Sequence, residues 1–139
     1  MRGANSDILM EIPMTQERMK NYISLRKEIV LLSQEILIAE SDNENNPNIV
    51  SGFGKKVIAK LQERKTMYIK ECDAIENYIL DIKGDSRIRQ ILTYRYIEGF
   101  TLEATALSTG YSMSHVNRII DTHFKQTHNG TGKGGMINE

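Results

Sequence analysis

Polar side chains between residues 101 and 125 offer the clearest chemistry in this sequence. Hydroxyl, amide and guanidinium groups hydrogen-bond to base edges and phosphates, whereas a helix that is only solvated more often shows Glu and Lys. These residue types therefore predict contacts with double-stranded DNA. The candidate contact residues are Thr101, Ser112, Ser114, His115, Asn117, Arg118, Thr122 and Lys125.

Within this set, the residue types suggest a division of roles. Arg118 can reach a guanine edge or hold a phosphate, and the neighbouring Asn117 can pair with an adenine edge. Ser112 and Thr122 are better suited to phosphate contacts than to base contacts.

The spacing around Gly110 indicates which elements would position these side chains. Thr101 can cap a helix over residues 102–109, and Ser112 can cap a second helix that continues to about residue 125. Gly110 lies between them, where a tight turn requires a positive φ that glycine adopts without a steric penalty. We therefore expect two short helices joined at Gly110.

Small and aliphatic residues flank this turn at fixed distances. Ala106 precedes Gly110 by four residues and would let the two helices cross closely. Val116 and Ile119 follow Gly110 by six and nine residues and would face back onto Ala106. This spacing is typical of a helix-turn-helix. An ordinary helix–glycine–helix corner is the alternative reading.

A third helix over residues 85–98 would precede this pair. Asp85 can cap it, and Gly99 would end it. Its apolar residues fit one buried face. Across residues 85–125, five basic side chains stand against four acidic ones, which predicts weak nonspecific attraction to DNA.

The sequence here resembles a known family. Residues 95–106, RYIEGFTLEATA, and 110–119, GYSMSHVNRI, resemble the C-terminal promoter-binding region of primary sigma factors. They look closer still to the phage transcription regulators of the ArpU/RinA type. The resemblance covers residues 85–125, and in the N-terminal half it extends to architecture only. It implies a sigma-like DNA-binding domain preceded by a coiled-coil half.

Other candidate sites are weak. His115, His123 and His128 lack the Cys or carboxylate partners of a metal site, so we interpret them as surface or DNA-facing residues. Residues 52–56 lack the full spacing of a phosphate-binding loop. Cys72 fits a small core residue. We therefore expect no enzymatic activity, no metal and no cofactor.

Two long helices are predicted in the N-terminal half. Residues 16–40 and 55–83 both repeat apolar residues at alternating spacings of three and four, which indicates a coiled-coil-like seam in each. We expect them to form a helical hairpin over residues 15–83. Residues 41–54, rich in Asn, Ser and Gly, would form a mobile loop between them. Lys65 is the single break in the apolar pattern. The predicted seams are Tyr22, Leu25, Ile29, Leu32, Ile36 and Ala39, then Ile58, Leu61, Lys65, Tyr68, Cys72, Ile75, Ile79 and Ile82.

Further apolar residues lie off these seams. A two-helix hairpin cannot bury so wide an apolar surface, so a second copy or the C-terminal part must cover it. We expect a homodimer or a higher homo-oligomer, held mainly by residues 16–83. The off-seam residues include Ile23, Val30, Leu31, Leu37, Val57, Met67 and Ile69.

Composition sets the broad class. The chain has 139 residues, 18 basic and 18 acidic side chains, two Pro and one Cys. No apolar run approaches the ~20 residues that a membrane span needs. The fold class expected is all-α: an N-terminal segment (1–14), the hairpin (15–83), a three-helix helix-turn-helix domain (84–126) and a disordered tail (127–139). No apolar leader is visible, so we expect a cytoplasmic protein. The resemblance to phage regulators implies a bacterial host and association with its nucleoid.

Three functions remain open from the sequence. The leading one is a phage or prophage transcription regulator that binds promoter DNA sequence-specifically. The second is a DNA-packaging protein of the small-terminase type, in which the DNA-binding part usually comes first rather than last. The third is a coiled-coil adaptor that binds RNA polymerase without contacting DNA. RNA polymerase is also a candidate partner of a DNA-binding regulator.

Overall fold

A computed structural model of the chain describes residues 12–45 and 52–128, with side chains up to residue 126. Every regular element in these ranges is helical, so the predicted all-α class is confirmed there. No helix in this part of the chain is long and apolar enough to cross a bilayer. The elements are α1 (Gln16–Lys20), α2 (Tyr22–Asn45), α3 (Gly52–Leu80), α4 (Ser86–Leu92) with a π-helical continuation (Thr93–Ile97), α5 (Leu102–Thr109) and α6 (Met113–His128).

The chain divides into two compact units. Among the described residues, one unit comprises 21–45 with 52–76 and the other comprises 12–20 with 77–128. Residues 16–20 and 77–83 fall in the range that the sequence suggested for the hairpin, but they belong to the unit that contains α4, α5 and α6.

The unit of residues 21–76 is built on the predicted seams. Each predicted seam position from 22 to 39 and from 58 to 75 is buried or partly buried, including Lys65. Leu32 and Cys72 are almost fully buried. The hydroxyl of Tyr22, at the start of α2, donates a hydrogen bond to the carboxylate of Glu76, near the end of α3. The heptad spacing therefore predicted the buried face of both helices.

Several predicted boundaries are wrong. The first long helix is interrupted at Asn21, and α2 then continues to Asn45 rather than ending at residue 40. The segment 41–45 is polar but contains neither Gly nor Pro, so nothing in it stops a helix. The α3 helix begins at Gly52, which shortens the predicted loop at its other end as well. The rest of that loop, 46–51, lies outside the described residues.

The helix ends nearer the C-terminus also differ from the prediction. The α3 helix ends at Leu80 rather than at residue 83, although Gly84 beyond it has the positive φ of 87° that a chain reversal needs. The α6 helix reaches His128, so residues 127 and 128 of the predicted tail are helical. Most of that tail, 129–139, and most of the N-terminal segment, 1–11, lie outside the described residues.

The other unit has a core that α4, α5 and α6 share. Ile91, Leu92 and Val116 are fully buried, and each of the three helices contacts the other two. The short α1 is capped by Thr15, whose hydroxyl accepts from the backbone N–H of Arg18 at 3.1 Å. Met19 of α1 is also fully buried. The α1 helix belongs to the same compact unit as the three C-terminal helices.

The third predicted helix is less regular than expected. Asp85 caps α4 by accepting from the backbone N–H of Arg87. After Leu92 the hydrogen-bond pattern widens, and the N–H of Glu98 reaches the carbonyl of Thr93, five residues back, at 2.9 Å. Gly99 follows with a φ of 76°. The caps at both ends were thus predicted, while the π-helical turn between them was not.

Candidate nucleic-acid interface

The junction between α5 and α6 has the geometry that the sequence predicted. Gly110 follows α5 with a φ of 82°. Thr101 caps α5, its hydroxyl accepting from the backbone N–H of Ala104 at 3.0 Å. Ser112 caps α6 by accepting from the backbone N–H of His115 at 3.1 Å. Both caps satisfy backbone donors that a helix N-terminus leaves without an intrahelical partner.

One face of α6 is anchored in the core. Val116 is fully buried and Ala106, on α5, is 6% exposed, as their spacing predicted. The buried row continues through Ile120 and Phe124, whereas Ile119 is only partly buried. We predicted Ile119 to be buried because it follows Gly110 by nine residues, a spacing typical of a helix-turn-helix. The four-residue spacing of 116, 120 and 124 was the signal that this prediction missed.

The opposite face of α6 carries polar side chains that are exposed. Arg118 and Lys125 lie two helical turns apart on it, with Asp121 between them. Because the buried row fixes the rotation of α6, it also fixes which residues face outward. Five of the predicted contact residues are exposed on α6: Ser114, Asn117, Arg118, Thr122 and Lys125. Four of them share the outward face, and Asn117 lies at its edge, on the side of Phe124.

The other three predicted contact residues are placed differently. The ring of His115 is partly buried and stacks on Tyr111, with 4.9 Å between ring centroids and 23° between planes. Thr101 and Ser112 use their hydroxyl oxygens as helix caps. A hydroxyl that accepts a hydrogen bond can still donate its own hydrogen. Thr101 and Ser112 are both exposed and therefore keep a donor for an anion.

His123 does not fit the predicted surface or DNA-facing role. It is partly buried on the inner side of α6, and its ring contacts Phe124 edge-on with 5.0 Å between centroids. Burial lowers the pKa of His123, because a charged imidazole loses hydration there. The side chain of His128 lies outside the described residues.

Three of the five basic side chains between residues 84 and 126 interact within their own unit. Arg87 binds the carboxylate of Asp85, with nitrogen–oxygen distances of 3.3 and 3.2 Å, which raises the pKa of Arg87 and lowers that of Asp85. Arg89 donates to the carbonyl oxygen of Ile82 at 2.8 Å. Arg95 is the third of these residues.

Arg95 lies on the π-helical turn. Its guanidinium donates to the carbonyl oxygen of Phe100 at 2.7 Å and lies 5.6 Å from the ring centroid of Tyr96. The ring of Phe100 stacks on Tyr94, with 5.2 Å between centroids. The hydrogen bond from Arg95 to Phe100 joins the π-helical turn to the residue just before the cap of α5. It therefore helps to position the start of α5.

Arg118 and Lys125 are the remaining basic residues of this segment. Neither lies within 4.0 Å of a carboxylate oxygen of the described residues. Both lie on the outward face of α6. The basic groups free to meet an external anion are therefore concentrated on one helix face.

Within 12–45 and 52–128, no three His, Cys, Asp or Glu side chains are grouped so that they could hold a metal ion. No protein-family model matches the chain, and neither a curated protein nor a solved structure matches it.

Proposed function

We propose that this chain is a sequence-specific DNA-binding transcription regulator of phage or prophage origin, resembling the ArpU/RinA type. In this proposal residues 84–126 form a sigma-like helix-turn-helix domain, and α6 lies in the major groove of double-stranded DNA. The single observation that carries it is the outward face of α6. That face holds Arg118 and Lys125, the two basic side chains of the segment that are not engaged within it.

The dimensions of α6 support this role. Its 16 residues correspond to about 24 Å of helix, and the major groove admits an α-helix. Arg118 offers a base-reading group at the middle of the outward face and Asn117 offers another at its edge, whereas Thr122 and Lys125 can reach phosphates. The caps Thr101 and Ser112 would add hydroxyl donors at the two helix N-termini. Asp121 on the same face would disfavour nonspecific approach to phosphate.

Electrostatics require that more than one copy acts. If the two uncommitted cations of α6 make the phosphate contacts of each copy, a dimer would neutralise about four phosphates. The logarithm of affinity should then fall with a slope of about −3.6 against the logarithm of salt concentration. One copy alone would bind weakly. We therefore propose that the long helices assemble the chain into a homodimer or a higher homo-oligomer in the bacterial cytoplasm.

The long helices would supply that assembly as a helical hairpin. The hydrogen bond from Tyr22 to Glu76 supports this arrangement, because it joins the start of α2 to the end of α3. The buried seam on each helix supports it too. In this proposal residues 21–76 form the assembly part. The compact unit that contains α4, α5 and α6, which we call the α4–α6 unit, reads DNA.

Selection from random DNA tests the proposal. The full chain is incubated with a pool of random duplexes about three helical turns long, and bound duplexes are sequenced after several rounds. A regulator of this kind should enrich one motif, with two half-sites if it binds as a twofold dimer. A pool that stays random while the protein remains folded would count against sequence-specific binding.

An adaptor that binds RNA polymerase is the second candidate, and one observation favours it. Leu107 on α5 is 79% exposed and Met113 at the start of α6 is 46% exposed, so each of the two helices around Gly110 presents an apolar side chain to solvent. Exposed apolar side chains that cluster often mark protein contacts. If no motif is enriched, pull-down of purified RNA polymerase by the parent chain and by Leu107→Asp would test this role.

A further inference from the structure

A second apolar face on α2 remains exposed. Val30 and Leu31, with Leu37 and Ile38 two turns further on, are 56%, 54%, 66% and 63% exposed. We call these four residues the α2 stripe. At 100° per residue they lie roughly opposite the buried seam of α2, so α3 does not cover them.

We propose that a second copy of this chain covers the α2 stripe with its own α2 stripe. The two α2 helices would lie antiparallel, related by a twofold axis next to Gln34. This inference rests on the proposed function in one respect: it names the surface through which the proposed assembly would join two DNA-reading units.

The order of residues in the stripe fits this symmetry. Gln34 is exposed at its centre, with Val30 and Leu31 four and three residues before it, and Leu37 and Ile38 three and four residues after it. In an antiparallel pair centred on Gln34, Val30 faces Ile38 of the second copy. Leu31 likewise faces Leu37. An isologous interface requires such self-complementary pairs.

Gln34 itself favours a second copy over an unrelated apolar partner. A primary amide carries both donors and an acceptor, so two Gln34 side chains at a twofold axis can satisfy each other. Against a wholly apolar surface, the same amide would lose its hydrogen bonds to water and gain none. A polar residue within an apolar seam is also a known device for fixing register.

The charge distribution along α2 selects the antiparallel orientation. The first twelve residues carry Arg26 and Lys27 against Glu28. The last twelve carry four carboxylates and no basic side chain. Antiparallel pairing sets the slightly basic half of each helix against the acidic half of the other. Parallel pairing would set the two acidic halves side by side. The four carboxylates are those of Glu35, Glu40, Asp42 and Glu44.

Sedimentation equilibrium of the full chain, without DNA, tests the surface. Leu37→Asp should weaken self-association by about 100-fold or more, because it sets a charged carboxylate against an apolar surface. Met67→Asp is the matched control, since Met67 on α3 is 60% exposed and lies outside the stripe. This control should leave self-association unchanged. Circular dichroism shows whether each variant keeps its helicity.

Disulfide trapping tests the orientation. Gln34→Cys should cross-link two copies under mild oxidation, because the twofold axis brings the two positions together. Lys27→Cys should not, because in an antiparallel pair its two copies lie about 21 Å apart along the axis. Cys72 is buried and burial raises its pKa, so the parent chain serves as the unlinked control.

Three results would overturn the inference: a parent chain that stays monomeric at tens of micromolar, a folded Leu37→Asp variant that self-associates like the parent, or Lys27→Cys that links as readily as Gln34→Cys. None of these measurements uses DNA. A dimer that selects no DNA motif contradicts the proposed DNA binding and leaves this inference standing. A monomer that selects one contradicts the proposed assembly and this inference, and leaves the proposed DNA binding standing.

Discussion

The hydroxyl oxygen of Tyr78 lies 2.6 Å from Nε2 of His123, and their rings meet edge-on with 5.8 Å between centroids. Tyr78 lies at the end of α3 and His123 on the inner side of α6, so the bond ties together elements of one compact unit. In its neutral form, the imidazole of His123 can accept a hydrogen bond at Nε2 from the hydroxyl of Tyr78. Burial lowers the pKa of His123 and so favours this neutral form.

Stability should therefore fall in mild acid. The pKa of His123 is lower in the folded chain than in the unfolded chain. The contribution of His123 to the free energy of unfolding is therefore complete above about pH 6.5, and it is lost as the pH falls through the lowered pKa. Thermal unfolding between about pH 5 and pH 8 measures the effect. His123→Gln should flatten the profile in this window. An unchanged profile in the variant would assign the effect to another group.

Loss of the Tyr78 hydroxyl should weaken the same unit at neutral pH. Tyr78→Phe keeps the ring contact but removes the partner of Nε2, which should cost about 0.5–1.5 kcal/mol of unfolding free energy. Urea denaturation at pH 7.5 measures this. Equal stability of Tyr78→Phe and the parent would mean that the hydrogen bond contributes nothing.

Tyr22 should titrate late in an alkaline titration. Burial and the hydrogen bond to Glu76 raise its pKa to about 12. Its stabilising contribution is therefore present below the unfolded pKa and is lost as the pH rises through about 12. Absorbance at an ultraviolet wavelength specific for phenolate should show a late component among the six tyrosines. Tyr22→Phe should remove that component, and its persistence would show that another tyrosine is responsible.

Gly110→Ala should destabilise the α5–α6 junction. Nothing lies within 4 Å of an added Cβ, so the cost comes from the positive φ of 82° and should be about 1–2 kcal/mol. Gly52→Ala is the matched control, since its added Cβ also meets open space and Gly52 lies at the start of α3 without a positive φ. If both substitutions change the unfolding free energy equally, strain at Gly110 is not the cause.

Burial should separate two large-to-small substitutions in the α4–α6 unit. Ile91→Ala removes a fully buried side chain from the core and should cost about 2–5 kcal/mol. Leu107→Ala removes one that is 79% exposed and should change stability by less than about 0.5 kcal/mol. Comparable losses would mean that Leu107 is buried in solution, for example against a second copy.

The helix caps and seams could be predicted because they depend on neighbours in sequence. Thr101, Asp85 and Ser112 each have the side-chain type that satisfies backbone donors two or three residues ahead, and each does so. Apolar spacing of three and four likewise fixed the buried faces of α2 and α3.

The misses depend on contacts that sequence spacing does not encode. His123 and Arg89 bind partners that the fold brings to them, the hydroxyl of Tyr78 and the carbonyl oxygen of Ile82. Counting five basic residues against four acidic ones could not show that only two of them remain uncommitted. The polar stretch 41–45 was misassigned because polarity alone does not end a helix.

The most direct test of the central claim compares Arg118→Ala with Arg64→Ala. Arg64 is an exposed arginine on α3, far in sequence from α6, so the pair matches in chemistry and differs in location. The measurement is the affinity of the full chain for its selected duplex at constant salt. We predict that Arg118→Ala loses about 1–3 kcal/mol of binding free energy for each contact that the guanidinium makes, whereas Arg64→Ala binds like the parent. Unchanged binding by Arg118→Ala together with loss of binding by Arg64→Ala would contradict the account and move the DNA surface to the long helices.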